Sequence, residues 1–578
     1  MKHQTTVLKP FDQLTNKAKK NRAKGIAKKI YADFKQISTE SSHIEDNPIL
    51  KSIEIDIKDT AYQIQFGKEN VDQNRLRVQA AVQSCDSNQI PRRAYRSIAS
   101  LSFDVPREWH IAAEKQRIIE EMGQMIPIHI INLTADDFND QYNQEIHISD
   151  HEIVQNVHES IGKAAYRSVS QILKYLIQDL ISKNILDCLI PEIHIRISGD
   201  GRNIGRKVKQ VMLTFAILND IENIQKPDHH FTVILYPGTE KYETLSIVLA
   251  PLLEELKQLD ENGIVDEFGM KWKIIMYFSS DWKFLAINLG MNSANSRYFC
   301  PWCEISKEQI GDLDIQWRIS KSMEQIRADF KTYNGHIRPA LFDMIPLCNW
   351  IPDELHTMLR ITDVLWTLVL SEIRARGNWN DKAMSVIIAE MKRINVKFCF
   401  WKEQGSTAWQ YISLMGKDKL KVLESFDLSK LFPRSRASQI RNLWNKFLEL
   451  YLALQRQKVD VDQFANDAKN WLQQFSSCSS GFYQKSDITP YMHVLVYHIP
   501  ELMRIHQRWS IKSFSCSPVE LKNHIHTSHF FKRSFKDGGV NRKSAIVETL
   551  EYENRFLYFH CNDNLCNHTH QPKKLRIE

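Results

Sequence analysis

Two aspartates in this sequence sit where a strand would hold a carboxylate still. In "EIHIRISGDG" the apolar Ile193, Ile195 and Ile197 alternate with His194, Arg196 and Ser198, the period of a half-buried strand running into Gly199, Asp200 and Gly201. A second strand-like run, "KWKIIMYFSSD", ends on Asp281. A short carboxylate on a rigid strand end suits a divalent cation such as Mg²⁺ or Mn²⁺, which prefers hard oxygen ligands and keeps water for reaction. The plainer reading of "SGDGRN" is a turn after a strand, since Gly, Asp and Asn are turn residues.

A second chemistry is written in cysteine and histidine. Cys300-Pro-Trp-Cys303 has the C-x₂-C spacing with which two thiolates hold one tetrahedral Zn²⁺, and His493 and His498 in "YMHVLVYHIPE" fall in the H-x₃₋₅-H range. A shared zinc would clip together segments nearly two hundred residues apart. The competing reading is two buried cysteines and two surface histidines. A thioredoxin-like redox role is disfavoured because no strand leads directly into the motif. The terminal "HCNDNLCNHTH" (His560, Cys561, Cys566, His568, His570) reads equally as a small zinc knuckle or a disordered tail.

These residues need elements to position them. After the strand at Ile193 come "QVMLTFAIL" and "FTVILY", the latter stopped by Pro237 and Gly238, then a helical stretch 240–259, the strand ending at Asp281, and the helical "WKFLAINLGM". Three strands, helix, strand, helix is the order of an RNase H-like fold, which places one carboxylate on its first strand, a second just after its fourth, and a third on a late helix. Residues 304–485 are rich in helix formers, Trp and Leu and read as a large helical insertion. "SPVELKNHIHTSHFFKRSF" supplies a late helix. "PDELHTMLRITDVLW", with Asp353, Glu354, His356 and Asp363, reads as an amphipathic helix after Pro352 that lies near the active site or simply packs in the core. Upstream, 105–126 and 159–181 read as helices, and Asn88–Pro91 as a turn and a seam.

The fold class expected is therefore α+β or α/β. The divisions are a basic, mainly helical region 1–110, a helical region 111–190, the first part of the core 191–299, a zinc-binding helical insertion 300–490, the histidine pair and final helix 491–550, and a tail 551–578. Length and composition agree with several folded units: 578 residues, 43% hydrophobic, 25% charged. No apolar run approaches the roughly 20 residues of a membrane span. Ten scattered cysteines read as thiols and metal ligands, so a soluble intracellular protein is expected. The net charge of +7 is modest, but Lys17, Lys19, Lys20, Arg22, Lys24, Lys28 and Lys29 form a run with no acidic residue, suited to phosphates or nuclear import, or else a solvated basic face.

Asp281, a C-x₂-C nineteen residues later, a long helical stretch, an H-x₄-H pair and Glu520 about twenty residues further on resemble the catalytic core of Transib transposases and of the catalytic subunit of the V(D)J recombinase. "SGDG" is similar to the motif around that family's first Asp, and the likeness covers roughly 190–545. It implies a zinc-supported RNase H-like nuclease with the triad Asp200, Asp281 and Glu520, using Mg²⁺ or Mn²⁺ to cut DNA and join its ends elsewhere. DNA partners would be terminal repeats and a target, with a homodimer in the nucleus and no membrane. Lys19, Lys20, Arg22, Lys532, Arg533 and Lys536 are the expected phosphate contacts, with Arg542 and Lys543 beside them. No Gly-Gly-Arg-Pro-Arg type motif and no RING-type cluster occurs in the N-terminal third. Two other readings stand beside this one: a domesticated or inactive DNA-binding relative, and a zinc-stabilised helical scaffold. For Glu520 the structural alternative is a capping box, with Ser517 as N-cap.

Overall fold

The computed structural model describes residues 9–40, 50, 52–57, 60–66, 71–101, 105–132, 163–204, 208–403, 405, 409–479, 481–533 and 544–562. The chain divides into two compact units, 1–118 with 562–578, and 119–561.

The first unit carries α1 (Asn16–Glu40), the hairpin β1 (Ser52–Ile57) and β2 (Thr60–Gln65), α2 (Val71–Ser87), α3 (Arg92–Leu101) and the start of α4 (Glu108–Met125). Helix α1 buries Ala23 and Ala27, one turn apart, and leaves Lys17, Lys20, Lys24, Lys28 and Lys29 exposed. The hairpin departs from the mainly helical expectation. Its cause is legible in Ile53-Glu54-Ile55-Asp56-Ile57, an alternation of period two. The turn at Asn88–Pro91 joins α2 to α3 inside this unit, with Gln89 at φ +48°, and is no seam.

The second unit is a mixed α+β structure. Its seven-stranded sheet runs β3-β4-β7-β6-β5-β9-β8, from β3 (His129–Asn132), β4 (Lys163–Tyr166), β5 (Glu192–Ile204), β6 (Val208–Ile217), β7 (His230–Pro237), β8 (Ile264–Val265) and β9 (Lys271–Phe278). Strands β5, β6 and β7 form the expected antiparallel meander, and β9 lies parallel to β5 with Ile197 opposite Phe278. The helix expected over 159–181 is shorter. Lys163–Tyr166 is a strand pairing with β7 (Ala165 opposite Leu235), and the helix α5 (Val169–Ser182) starts only where the Ser168 hydroxyl caps it by accepting from Gln171 N. Helices α6 (Tyr242–Val248) and α7 (Ala250–Asn262) link β7 to β8, and α8 (Trp282–Asn288) follows β9.

The helical insertion holds α9 (Met323–Ala328), α10 (Glu354–Ala375), α11 (Asp381–Arg393), a small hairpin β10 (Phe400–Lys402) and β11 (Trp409–Tyr411), α12 (Gly416–Ser425), α13 (Arg434–Leu454) and α14 (Val461–Ser477). A helix over 490–505, α15, leads through 506–516 to α16 (Ser517–Arg533) and finally α17 (Ala545–Cys561). Val519 of α16 and Leu550 of α17 close a core with Ala165, Met212 and Leu235, so the last two helices cover one sheet face.

Strand β5 is not half-buried as its alternation suggested. His194, Arg196 and Ser198 are buried as well, because the segment after α15 covers their face: Arg196 Nη1 donates to Ser513 O (2.7 Å) and the His194 ring meets Trp509. Two-sided burial of β5 fixes the strand that carries Asp200.

Candidate functional site

The backbone decides where the acidic residues meet. Asp200 stands late on β5. Asp281 follows the adjacent parallel strand β9 and becomes the N-cap of α8, its Oδ1 accepting from Phe284 N at 2.7 Å. Between them Ser279 N donates to Ile197 O (3.0 Å) and the Ser280 hydroxyl donates to Gly199 O, tying the β9 exit to β5. Gly199, before Asp200, is required by close approach: a Cβ there would lie 2.1 Å from the buried Phe284 ring, whereas one on Gly201 would meet the Glu240 side chain, its Oε1 2.3 Å away.

Glu520 lies in the first turn of α16, its Oε1 3.5 Å from His356 Nε2. One turn on, the buried Asn523 donates from Nδ2 to Asp200 Oδ2 at 2.7 Å. Helix α16 thus reaches both β5 and α10. Asp353 caps α10 by accepting from Leu355 N and His356 N, accepts from Cys516 N (2.8 Å), and pairs with His356 Nδ1 at 2.5 Å.

These groups share one electrostatic field. Burial pushes the Asp200 carboxyl up to about 6; Asn523 opposes this, while the charges of Asp281 and Glu240 add to it. Burial also raises Glu520, with Asp353 and Asp200 adding and His356 opposing. For His356 burial works downward, yet the hydrogen bond and charge of Asp353, helped by Asp281 and Glu520, hold the imidazole up at about 9. The site is therefore a surplus of negative charge with one imidazolium in it. The carboxylates are spaced more widely than a closed metal cage. Among the described residues, the one group of three or more metal-capable side chains whose ligand atoms all lie within 4.8 Å of one another is elsewhere.

That group is Cys300, Cys303, His493 and His498, all buried. Cys300 Sγ lies 3.3 Å from His498 Nε2, Cys303 Sγ 3.4 Å from His493 Nε2, and the two Nε2 atoms are 3.1 Å apart. Zn–S near 2.3 Å and Zn–N near 2.0 Å in a tetrahedron would put S and N about 3.5 Å apart and N and N about 3.3 Å. The cluster has a zinc site's dimensions to within a few tenths of an ångström. The H-x₄-H spacing works through a local distortion. In a regular α-helix residues five apart point about 140° away from each other, but Val494–His498 is a π-helical turn, whose i to i+5 repeat aligns His493 with His498. His498 Nδ1 faces Glu501 Oε2 at 3.8 Å, the kind of carboxylate that orients a ligating imidazole.

Residues that sequence reasoning did not single out complete the picture. Glu240 follows the end of β7, pairs with Lys283 at 2.5 Å and joins Asp281 as a second carboxylate whose charge acts on Asp200. A carboxylate just past a strand end was the same signal that marked Asp281. Asn523, three residues after Glu520, was legible as sharing its helix face. Arg167 and Glu553 left no such signal: 386 positions apart, they form a buried pair at 2.5 Å, with Thr232, Lys522 and His526 also on Glu553. On α16, His526 and His529 are buried, whereas His524 is exposed.

For the expected phosphate contacts, Lys20 is exposed on α1, Lys19 lies 6.0 Å from the Phe11 ring centroid, and Arg22 Nη1 donates to Lys9 O at 2.7 Å. Lys532 and Arg533 end α16, and their side chains, like all of Lys536, Arg542 and Lys543, lie outside the described residues, as do Cys566, His568 and His570. No helix among the described residues is long and apolar enough to cross a membrane. No family model and no curated protein matches the chain.

Proposed function

We propose that this chain is a divalent-metal-dependent DNA nuclease and strand transferase with an RNase H-like core, of the Transib and V(D)J recombinase kind. The observation that carries the reading is the convergence of Asp200 on β5, Asp281 after the parallel neighbour β9, and Glu520 on a late helix in one electrostatic site. The sheet order β7-β6-β5-β9 supports it, since the third, second, first and fourth strands of such a core lie side by side in that sequence.

The donor set suits Mg²⁺ or Mn²⁺: short carboxylates late on β5 and just past β9, with burial first and then the charges of Asp281 and Glu240 raising Asp200. Asp200, Asp281 and Glu520 would hold the ions, with Glu240 beside them, and the ions would supply Lewis acidity to the attacking and leaving oxygens. The residues themselves do the positioning. Asn523 fixes one Asp200 oxygen, and the cap to Phe284 N fixes one Asp281 oxygen. His356, held charged by Asp353, offsets the crowding of carboxylates until cations and the phosphodiester arrive. The Cys300, Cys303, His493 and His498 cluster fits structural Zn²⁺, which would clip the start of the insertion to α15 and so to the segment leading into the Glu520 helix.

A homodimer acting in the nucleus on terminal repeats and a target belongs to the same proposal, with the basic face of α1 supplying phosphate contacts. Incubation with Mn²⁺ and DNA carrying the element's flanking repeats tests the reading. Nicks from the native chain, absent in Asp200→Asn, Asp281→Asn and Glu520→Gln that still fold and bind DNA, are expected. Equal nicking by any of the three overturns it.

A further inference from the structure

The hairpin β10–β11 stands in the helical insertion as a sheet of two strands only, with Phe400 opposite Tyr411, Trp401 opposite Gln410 and Lys402 opposite Trp409. Side chains alternate across it, so Phe400, Lys402, Trp409 and Tyr411 share one face and Trp401 and Gln410 the other. The first face is an aromatic array interleaved with cations. Phe400 meets Tyr411 and Trp379 edge-on at 6.3 and 5.5 Å, Lys402 Nζ lies 4.6 Å over the Trp409 ring, and the Arg374 guanidinium lies 4.4 Å over Trp379. Phe398, buried beneath, anchors Phe400 and Tyr411 at 5.1 and 5.7 Å. On the second face Trp401 is 41% exposed.

Packing accounts for Phe398 and Phe400 but not for the rest. A hairpin held down by one buried ring has no need of a solvent-facing indole, nor of a lysine and an arginine laid on two more. An exposed Trp401, half-buried Trp409 and Trp379 carrying Lys402 and Arg374 on their rings, and Glu403 as the one acidic residue described in the hairpin match the requirements of unpaired nucleobases: flat rings for stacking and cations for the backbone between them. Duplex DNA hides its base faces and would use the cations alone.

We infer that this hairpin is a stacking wedge for single-stranded nucleic acid, with Trp409 taking a base on the first face, Trp401 a base on the second as the strand passes over the hairpin, and Lys402 and Arg374 the phosphates beside the first face. It is a surface apart from the carboxylate site. His356 and Arg374 lie on the same helix α10, and eighteen residues at about 1.5 Å each separate the Trp379 end of the wedge from the carboxylates by roughly 27 Å along it. At about 3.4 Å per nucleotide of a stacked strand that is roughly eight nucleotides. The wedge would therefore hold a strand already opened or displaced away from the cut, rather than the reacting bond. The inference rests on the nucleic-acid reading proposed above.

The test is equilibrium binding by the full chain, without divalent cation, to a single-stranded DNA carrying 2-aminopurine and to the same sequence as a duplex. The native chain should change the 2-aminopurine emission of the single strand on binding. Trp401→Ala and Trp409→Ala should each weaken single-strand binding about 5- to 100-fold, the range of one lost stacking contact, with duplex binding changed less than about twofold. Trp401→Phe should restore most of the loss. Circular dichroism and thermal melting identical to the native chain exclude misfolding, since Trp401 is exposed. Native-like single-strand binding by both alanine variants overturns the wedge while leaving the nuclease reading intact, and so does equal weakening for duplex and single strand. If the native chain binds neither DNA, the nuclease reading fails with it. If it binds neither yet pairs with a protein through the same tryptophans, the surface is a protein interface and the inference is wrong.

Discussion

Replacing Asp200 by Asn should make the metal-free protein more stable. The carboxyl rises from an ordinary 3.8 to about 6 because burial and the charges of Asp281 and Glu240 oppose ionisation. At 1.36 kcal/mol per tenfold change in proton affinity this is roughly 3 kcal/mol of unfavourable interaction once the group is ionised. Asp200 is only half-buried, so screening reduces the figure to about 1–3 kcal/mol. The sign follows from proton binding. Between about pH 4 and pH 6 the folded chain holds a proton that the unfolded chain has lost, so stability falls as pH rises through that window, and the full penalty persists above it. Asn keeps an oxygen for the Asn523 amide and removes the charge. At about 2.1 cal/mol/K per residue, unfolding of 119–561 has an entropy near 0.9 kcal/mol/K, so the variant should melt roughly 1–3 °C higher at pH 7.5. The gain should vanish below about pH 4. Differential scanning fluorimetry across pH 4–8, with and without Mn²⁺, reads both halves of the argument. Mn²⁺ should raise the melting temperature of the native chain and leave Asp200→Asn unmoved. A variant less stable than the native protein without metal, or one that Mn²⁺ stabilises equally, would refute the reasoning.

The purified protein should hold one zinc per chain by elemental analysis, and Cys300→Ala or His498→Ala should lose it together with several kcal/mol of stability, seen as an early unfolding transition. Because both thiols must lose protons to bind, chelators should strip that zinc faster as pH falls. Glu553→Ala leaves Arg167 buried without its carboxylate and should cost about 3–5 kcal/mol in denaturant unfolding; a cost under about 1 kcal/mol would show that water reaches the pair. Replacing Lys19, Lys20 and Arg22 together by Ala should weaken duplex binding at low salt and reduce the slope of log affinity against log salt by up to about three, as three phosphate contacts predict; an unchanged slope removes α1 from the interface.

What could be read from the chain beforehand follows from which signals are local. The meander β5–β6–β7 announced itself through apolar runs and the Pro237-Gly238 stop, Asp281 through its place just past a strand, and Asp200 through the alternation that runs into it, although β5 continues beyond it to Ile204 because β6 pairs with it that far. The metal cluster was legible because C-x₂-C and H-x₄-H are themselves local, although α-helical geometry alone would have turned His493 and His498 apart. Only the π-helical turn reconciles them. The short strand β4 was hidden inside a helical pattern because Ala164 and Ala165 fit either period and pairing with β7 decides between them. His194 and Arg196 looked solvent-facing since nothing in β5 reveals that 506–516 will cover that face. Glu553 is the extreme case, its partners Arg167 and Thr232 lying more than three hundred residues away.

The most direct test of the central claim is to locate the metals. Crystals of the full chain grown with Mn²⁺ should give anomalous difference peaks among Asp200, Asp281 and Glu520, with Glu240 alongside. A separate peak at the zinc edge should sit between Cys300, Cys303, His493 and His498. A zinc peak with no manganese at the carboxylates under saturating Mn²⁺, or manganese bound with Glu520 turned away from both aspartates, would contradict the account.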